Sequence, residues 1–96
     1  MFVVTVIFQV KKESIEDFHK AVLQQAKNSL KKEKACRKFD VCFSNARPDR
    51  VFLYELYDNK EAFDAHLETD HFKNFRDLSA PMLDGRAVET WDLQKV

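Results

Sequence analysis

Ninety-six residues suffice for one hydrophobic core, near the size below which disulfides or metals are usually needed, so the chain is read as a single domain over 1–96. A composition of 45% apolar and 33% charged residues is that of a globular protein, and a formal charge of zero supplies no long-range field to gather nucleic acid or anionic lipid. One glycine in the chain excludes the glycine-rich loops that cradle the phosphates of NAD or ATP.

The opening segment 2–10, FVVTVIFQV, is β-branched and aromatic without a breaker and predicts a strand. It has no basic leader and no small-residue cleavage site, and no apolar run approaches the roughly 20 residues of a membrane span, so a cytoplasmic protein with no membrane partner is expected. The period then changes. Ile15, Phe18, Val22, Ala26 and Leu30 recur every three or four residues and predict a helix over about 14–33, with Ser14 and Asp17 spaced as a capping box and Lys27, Lys31 and Lys32 complementing the dipole at its end. Residues 37–44 alternate, with Phe39, Val41 and Phe43 on one face. Asn45-Ala46-Arg47-Pro48-Asp49 reads as a turn, and 51–57 (VFLYELY) returns as the second arm of a hairpin.

Asp58 is placed to cap a short helix carrying Ala62, Phe63, His66 and Leu67, which Thr69-Asp70 interrupts before a further turn with Phe72, Phe75 and Leu78. Pro81 and Gly85 end this helix, and 86–93 (RAVETWDL) predicts the last strand. The order β-α-β-β-α-α-β is that of a ferredoxin-like split β-α-β, an α+β fold with a four-stranded antiparallel sheet and a divided second helix.

A sheet with helices on one side normally alternates apolar and polar residues. Here strand one puts Phe2, Val4, Val6 and Phe8 on one side with Val3 and Ile7 on the other, and strand three sets Phe52, Tyr54 and Leu56 against Val51, Leu53 and Tyr57. Two helices cannot cover both faces, and a bare second face would exceed the apolar patch of an ordinary monomer. The expected solution is a homodimer through the open sheet face.

Cys36 and Cys42 lie six positions apart on one strand, roughly 20 Å at about 3.3 Å per residue, whereas a disulfide requires under about 7 Å. Both are expected to be free thiols. His66 and His71 are five apart across a helix break, which is not the spacing of a helical zinc pair, and no third ligand accompanies them, so no metal is expected. Either imidazole can serve as an acid or base near neutral pH. Glu55, mid-strand among apolar neighbours, needs a partner if buried, for which Arg86 or a histidine is the natural choice. The aromatic set Tyr54, Tyr57, Phe39, Phe63, Phe72 and Trp91 lies on elements expected to meet between sheet and helices, as a core or as the wall of a small-ligand pocket.

The run CRKFDVCFSNARPDRVFLYELYDNKEAFDAHLETDHFKNF (36–75) resembles the signature stretch of the antibiotic biosynthesis monooxygenase superfamily, including its quinol monooxygenase and autoinducer-2-degrading branches: a Phe-Asp strand, a turn, a Tyr-Glu strand and an acidic helix with the pattern His-Leu-Glu-Thr-Asp-His. The first strand and helix and the last strand with Trp91 fit the same family. The resemblance implies a dimeric α+β barrel. It also implies a monooxygenase that needs no bound cofactor, in which an aromatic pocket deprotonates a phenol or quinol whose anion reacts with oxygen. The catalytic candidates are then His66 as base, Arg86 for anionic charge and Tyr54, with Phe39, Tyr57, Phe63, His71, Phe72 and Trp91 around the substrate. Haem-degrading relatives carry a tryptophan and a ligating histidine where this chain has His66 and Arg76, which argues against haem. Two alternatives stay open: an isomerase of a phosphorylated quorum signal, for which Arg37, Arg47, Arg50 and Arg86 are available, and a non-catalytic metabolite-binding dimer.

Overall fold

A computed structural model describes all of residues 1–96. In chain order the elements are β1 (Phe2–Val10), α1 (Ile15–Lys32), β2 (Cys36–Phe43), β3 (Arg50–Tyr57), α2 (Lys60–Leu67), α3 (Asp70–Ser79) and β4 (Leu83–Asp92), with short 3-10 turns at Lys12–Ser14 and Ala80–Met82. The strands form one antiparallel sheet in the order β2-β3-β1-β4, the ferredoxin-like α+β arrangement that the sequence pattern predicts.

The pairing register decides which side chains share a face. Phe2, Val4, Val6 and Phe8 of β1 stand beside Tyr57, Glu55, Leu53 and Val51 of β3 and, with Val10, face the helices. All of these except Phe2, which is half-buried, are buried. α1 lays Phe18, Val22 and Ala26 on this face, and Phe18 packs against Phe8 with ring centroids 4.9 Å apart. The buried stripe of α1 differs at its end from the expected one. Leu30 is exposed, and the polar Gln25 and Ser29 lie inside, where the Ser29 hydroxyl donates to the Gln25 carbonyl at 2.9 Å. At 100° per residue, positions 18, 22, 25 and 29 stay on one line while position 30 has rotated off it.

Helix ends also differ in detail. Ser14 makes no capping bond, because a 3-10 turn precedes α1. Asn59, not Asp58, caps α2 by accepting from the Ala62 N–H, while Asp58 pairs with Arg37 at 2.6 Å. Thr69 caps α3 as expected, accepting from the Phe72 N–H. β4 begins at Leu83, so Gly85 lies inside the strand instead of ending the helix.

Two irregularities shape the helix-facing side. In β2 the register shifts between Cys36 and Lys38, which lets Cys36 and Phe39, an odd number of residues apart, both point inward. Cys36 is buried and Cys42 exposed, and both are free thiols. In β4 a second shift opposite Gln9 and Val10 leaves Asp84 unpaired between Leu83 and Gly85, which lets Leu83 and Arg86, an odd number of residues apart, both stand on the helix side beside Val10 and Phe8.

No helix lies on the other face of the sheet. Ile7 and Phe52, cross-strand neighbours there, are each 37% exposed, and Trp91 is 49% exposed. Only Val3 on that face is fully covered, between its paired neighbours Leu56 and Trp91.

Candidate active site

The helices cover β2, β3 and β1 but leave the helix-facing side of β4 bare, so that Val88 is 48% exposed. Between the sheet and the α2–α3 pair a cavity of about 600 Å³ opens toward β4. Val4, Val6, Phe8, Leu53, Phe63 and Phe72 make most of its wall, a volume and lining of the kind that takes a small organic ligand.

Glu55 reaches the cavity from the centre of the sheet and is 3% exposed. One oxygen, Oε1, accepts from the Tyr57 hydroxyl at 2.6 Å; no other protein group hydrogen-bonds this carboxyl, which leaves Oε2 for a ligand. Burial pushes the Glu55 carboxyl up to about 7, against the Tyr57 hydrogen bond and the charge of His66, which pull it down. Sequence reasoning expected Arg86 or a histidine as its partner. The partner is a phenol two residues along the same strand, where the pleat returns the side chain to the same face. Burial and the neighbouring Glu55 charge drive the Tyr57 phenol far above its ordinary value, so Tyr57 acts as a donor only. Burial, with Glu33 and Glu55 adding to it, pushes the Cys36 thiol up to about 12, and a thiol held protonated is a poor nucleophile.

His66 enters from the last turn of α2 and is 2% exposed. Its Nδ1 sits 2.9 Å from Glu33 Oε2 and 3.1 Å from Oε1. A carboxylate on Nδ1 fixes the ring's orientation and places the lone pair of the neutral imidazole on Nε2. No protein group bonds Nε2, and His66 lines the cavity. Phe39, Tyr57, Phe63 and Phe72 frame the ring at centroid separations of 5.1 to 6.2 Å. Glu33 is the first residue beyond α1, held there by its N–H on the Ser29 carbonyl.

His71, in the first turn of α3, stands behind His66 instead of in the cavity wall. Its Nε2 is 2.8 Å from Glu33 Oε2, but the angle is wrong for a hydrogen bond and the nitrogen has no aligned partner. Nδ1 lies 3.3 Å from Gln25 Oε1. Burial lowers His71 below the ordinary histidine range in spite of the Glu33 charge.

Of the residues singled out from sequence, the structure therefore brings His66, Tyr57, Phe39, Phe63 and Phe72 together, with His71 in support. Tyr54 and Trp91 are not among them. Strand parity turns both to the opposite face, where Trp91 Nε1 donates to Thr5 Oγ1 at 2.9 Å, so within one chain they do not shape this cavity. Arg86 does line the cavity, but at the end toward β4, away from Glu55. Of the other arginines set aside for a phosphate, Arg37 pairs with Asp58 and Arg47 with Asp49, and none of Arg37, Arg47 and Arg50 reaches the cavity. Glu33 and Gln25 were missed. Gln25 carried a signal in its spacing from Phe18 and Val22, whereas Glu33 lies in a run of charged residues, KKEK, that marks nothing.

The model of the antibiotic biosynthesis monooxygenase family matches residues 1–78, and the chain belongs to that family. A candidate antibiotic biosynthesis monooxygenase from Nitrosomonas europaea superimposes with a TM-score of 0.94 at 29% identity, covering 99% of this chain and 100% of the other. A second candidate of the same kind, from Caulobacter crescentus, gives a TM-score of 0.92 at 23% identity over 98% of this chain and 90% of that one, a likeness of fold alone. No curated protein matches the chain.

Glu55 makes its own contribution to the pH dependence of stability. Its folded value of about 7 lies above the ordinary 4.5, so the folded protein holds a proton that the unfolded chain releases in this interval, and the contribution of Glu55 to stability is full below 4.5 and is lost as pH rises through 7. Relative to Glu55→Gln, the wild type is expected to lose up to about 1.4 kcal/mol per pH unit across that window. Urea unfolding of both proteins at closely spaced pH values measures it, and parallel stability curves would show that Glu55 titrates normally.

Proposed function

We propose that the chain is a monooxygenase that oxidises a small phenolic or quinol substrate with molecular oxygen and without a bound cofactor. The observation that carries this reading is a pair of proton acceptors, Glu55 Oε2 and His66 Nε2, beside the aromatic and aliphatic part of the cavity wall. A carboxyl near 7 is matched to proton exchange at neutral pH. Family membership supports the reaction class, and the aromatic walls around His66 suit a planar ring.

In this reading Glu55 or His66 takes the phenolic proton and the anion spreads onto a ring carbon bearing hydrogen. That carbon gives its electrons to oxygen and forms a C–O–O bond, and the protonated acceptor returns a proton to the distal oxygen. Loss of the ring hydrogen and cleavage of O–O leave a carbonyl on the ring and release water, so phenol plus O₂ becomes quinone plus H₂O. The protein supplies position, a proton acceptor and a dry site. Glu33 holds the His66 ring with Nε2 toward the substrate. An isomerase of a phosphorylated signal is less well supported, because the arginines that a phosphate would need are dispersed.

Oxygen uptake with a panel of hydroquinones and naphthols tests the reaction. His66→Ala and Glu55→Gln proteins that remain folded are each expected to lose about 10²- to 10⁴-fold in rate. Variants as fast as wild type would remove both residues from the mechanism; turnover without oxygen would favour the isomerase, and binding without turnover a non-catalytic protein.

The reading includes a second copy of the chain packed on the outer sheet face, where Ile7, Phe52 and Trp91 leave an apolar surface uncovered. Sedimentation at micromolar concentration is expected to give twice the 11.3 kDa of one chain, and Phe52→Glu to give a single chain. A wild-type particle of 11.3 kDa would overturn the dimer.

A further inference from the structure

At the end of the sheet where the β2–β3 loop approaches β4, a second hollow of about 310 Å³ opens on the outer face. The guanidinium groups of Arg47, Arg50 and Arg86 line it, and none of its lining residues is acidic. They arrive from separate segments. Arg50 opens β3 and stands across from Gln9 of β1, while Gly85 of β4 stands on the other side of Gln9 and is followed by Arg86. Arg47 belongs to the loop before β3, where its N–H donates to Ser44 Oγ at 3.1 Å and its carbonyl accepts from the Arg50 N–H at 2.9 Å. Asp49, in the same loop, ties the loop to β1 by accepting from the Val10 N–H at 2.7 Å.

Like charges gathered without a counter-charge repel one another, and here only one of them is balanced. Arg47 Nη2 donates to Gln9 Oε1 at 3.2 Å and lies 3.5 Å from Asp49 Oδ2, which also accepts from Gln9 Nε2 at 2.6 Å. Arg50 and Arg86 make neither an ion pair nor a side-chain hydrogen bond in the protein. Their planar forks of donors remain free, and that geometry suits the oxygens of a phosphate.

Beside them lies the chain's one glycine. Gly85 sits inside β4, where a glycine weakens the strand. Its φ is not positive, and a Cβ added to it would meet nothing within 4 Å, so neither backbone conformation nor close packing in the protein calls for glycine there. The missing side chain leaves the strand backbone open to a ligand next to the arginines. Ile7 and Ala87, paired across β1 and β4, extend the same hollow with an apolar patch.

We propose that this hollow binds a small phosphate monoester, its dianion held by Arg50 and Arg86 with Arg47 beside them and its organic part lying toward Ile7 and Ala87. The site goes beyond the oxidation assigned to the cavity and uses neither Glu55 nor His66. Ile7 also belongs to the face proposed to carry the second copy, which puts the hollow at the rim of that face, so the protein is tested as it assembles in solution.

Gly85 supplies the probe, since Gly85→Ala identifies the only glycine amide in a ¹⁵N spectrum. Titration with glycerol 3-phosphate at constant ionic strength and about pH 7.5, where the phosphate is a dianion, is expected to shift that amide saturably, and glycerol alone to leave it in place. Arg50→Gln and Arg86→Gln are each expected to weaken binding about tenfold. Gly85→Val, which fills the hollow without touching other protein atoms, should abolish the shifts of the arginine Nε signals. Lys27→Gln removes an exposed charge on α1 and should change the affinity by less than about twofold, which separates a built site from a general attraction of anions. A Gly85 shift that rises linearly without saturating, as it would if a partner copy covered the arginines, or an affinity that survives Arg50→Gln and Gly85→Val, would overturn the proposal.

Discussion

Glu55 is a carboxyl group placed in the middle of an apolar sheet face, with the Tyr57 phenol as its one hydrogen-bond partner in the protein. Burying an ionised carboxylate there would cost several kcal/mol, and one neutral donor offsets only part of this, so the group keeps its proton to higher pH. The rest of the site follows from that constraint. Whatever closes over Glu55 must be apolar enough to keep water away and yet provide something for the free oxygen to face. The cavity between the sheet and α2–α3, with its largely apolar wall, leaves that oxygen room to meet a ligand hydroxyl.

The surroundings of His66 are built from helix ends. α1 ends at Lys32, so Glu33 is the first residue past it, while α2 ends near His66 and α3 begins near His71. Three helix termini therefore meet around one carboxylate, with Glu33 Oε2 within 2.9 Å of both rings. Thr69 makes this possible by capping α3 and breaking what would otherwise be a single helix, since an unbroken helix would rotate His71 away from His66. The geometry of this site thus depends on a helix break and on a bulge in β2 that turns Cys36 and Phe39 to the same side.

Much of the fold was legible because periodicity is a local property. Strand β1 follows from an uninterrupted β-branched run, α1 from its repeat, and the two apolar faces of β1 and β3 from simple alternation. The site was half legible. His66 and its aromatic frame lie on one predicted helix and two predicted strands, and counting parity was enough to bring them together. Glu33 was not legible, because nothing local distinguishes it from the lysines around it and its role comes from a contact 33 residues away. The inward turn of Leu83 needed the bulge at Asp84, which reverses parity at the start of β4 and which no residue type announces. Trp91 drew attention as the lone tryptophan, although its parity sends it to the outer face.

The proposed exchange of a proton at Glu55 near neutral pH rests on a carboxyl that is about half ionised there. The most direct measurement is the side-chain carboxyl ¹³C shift of Glu55 followed through a pH titration, with Glu55→Gln to assign the resonance. A midpoint near 7 is the expected result. A midpoint near 4.5 would mean that water reaches the carboxyl and that burial does not govern it, and would contradict the account.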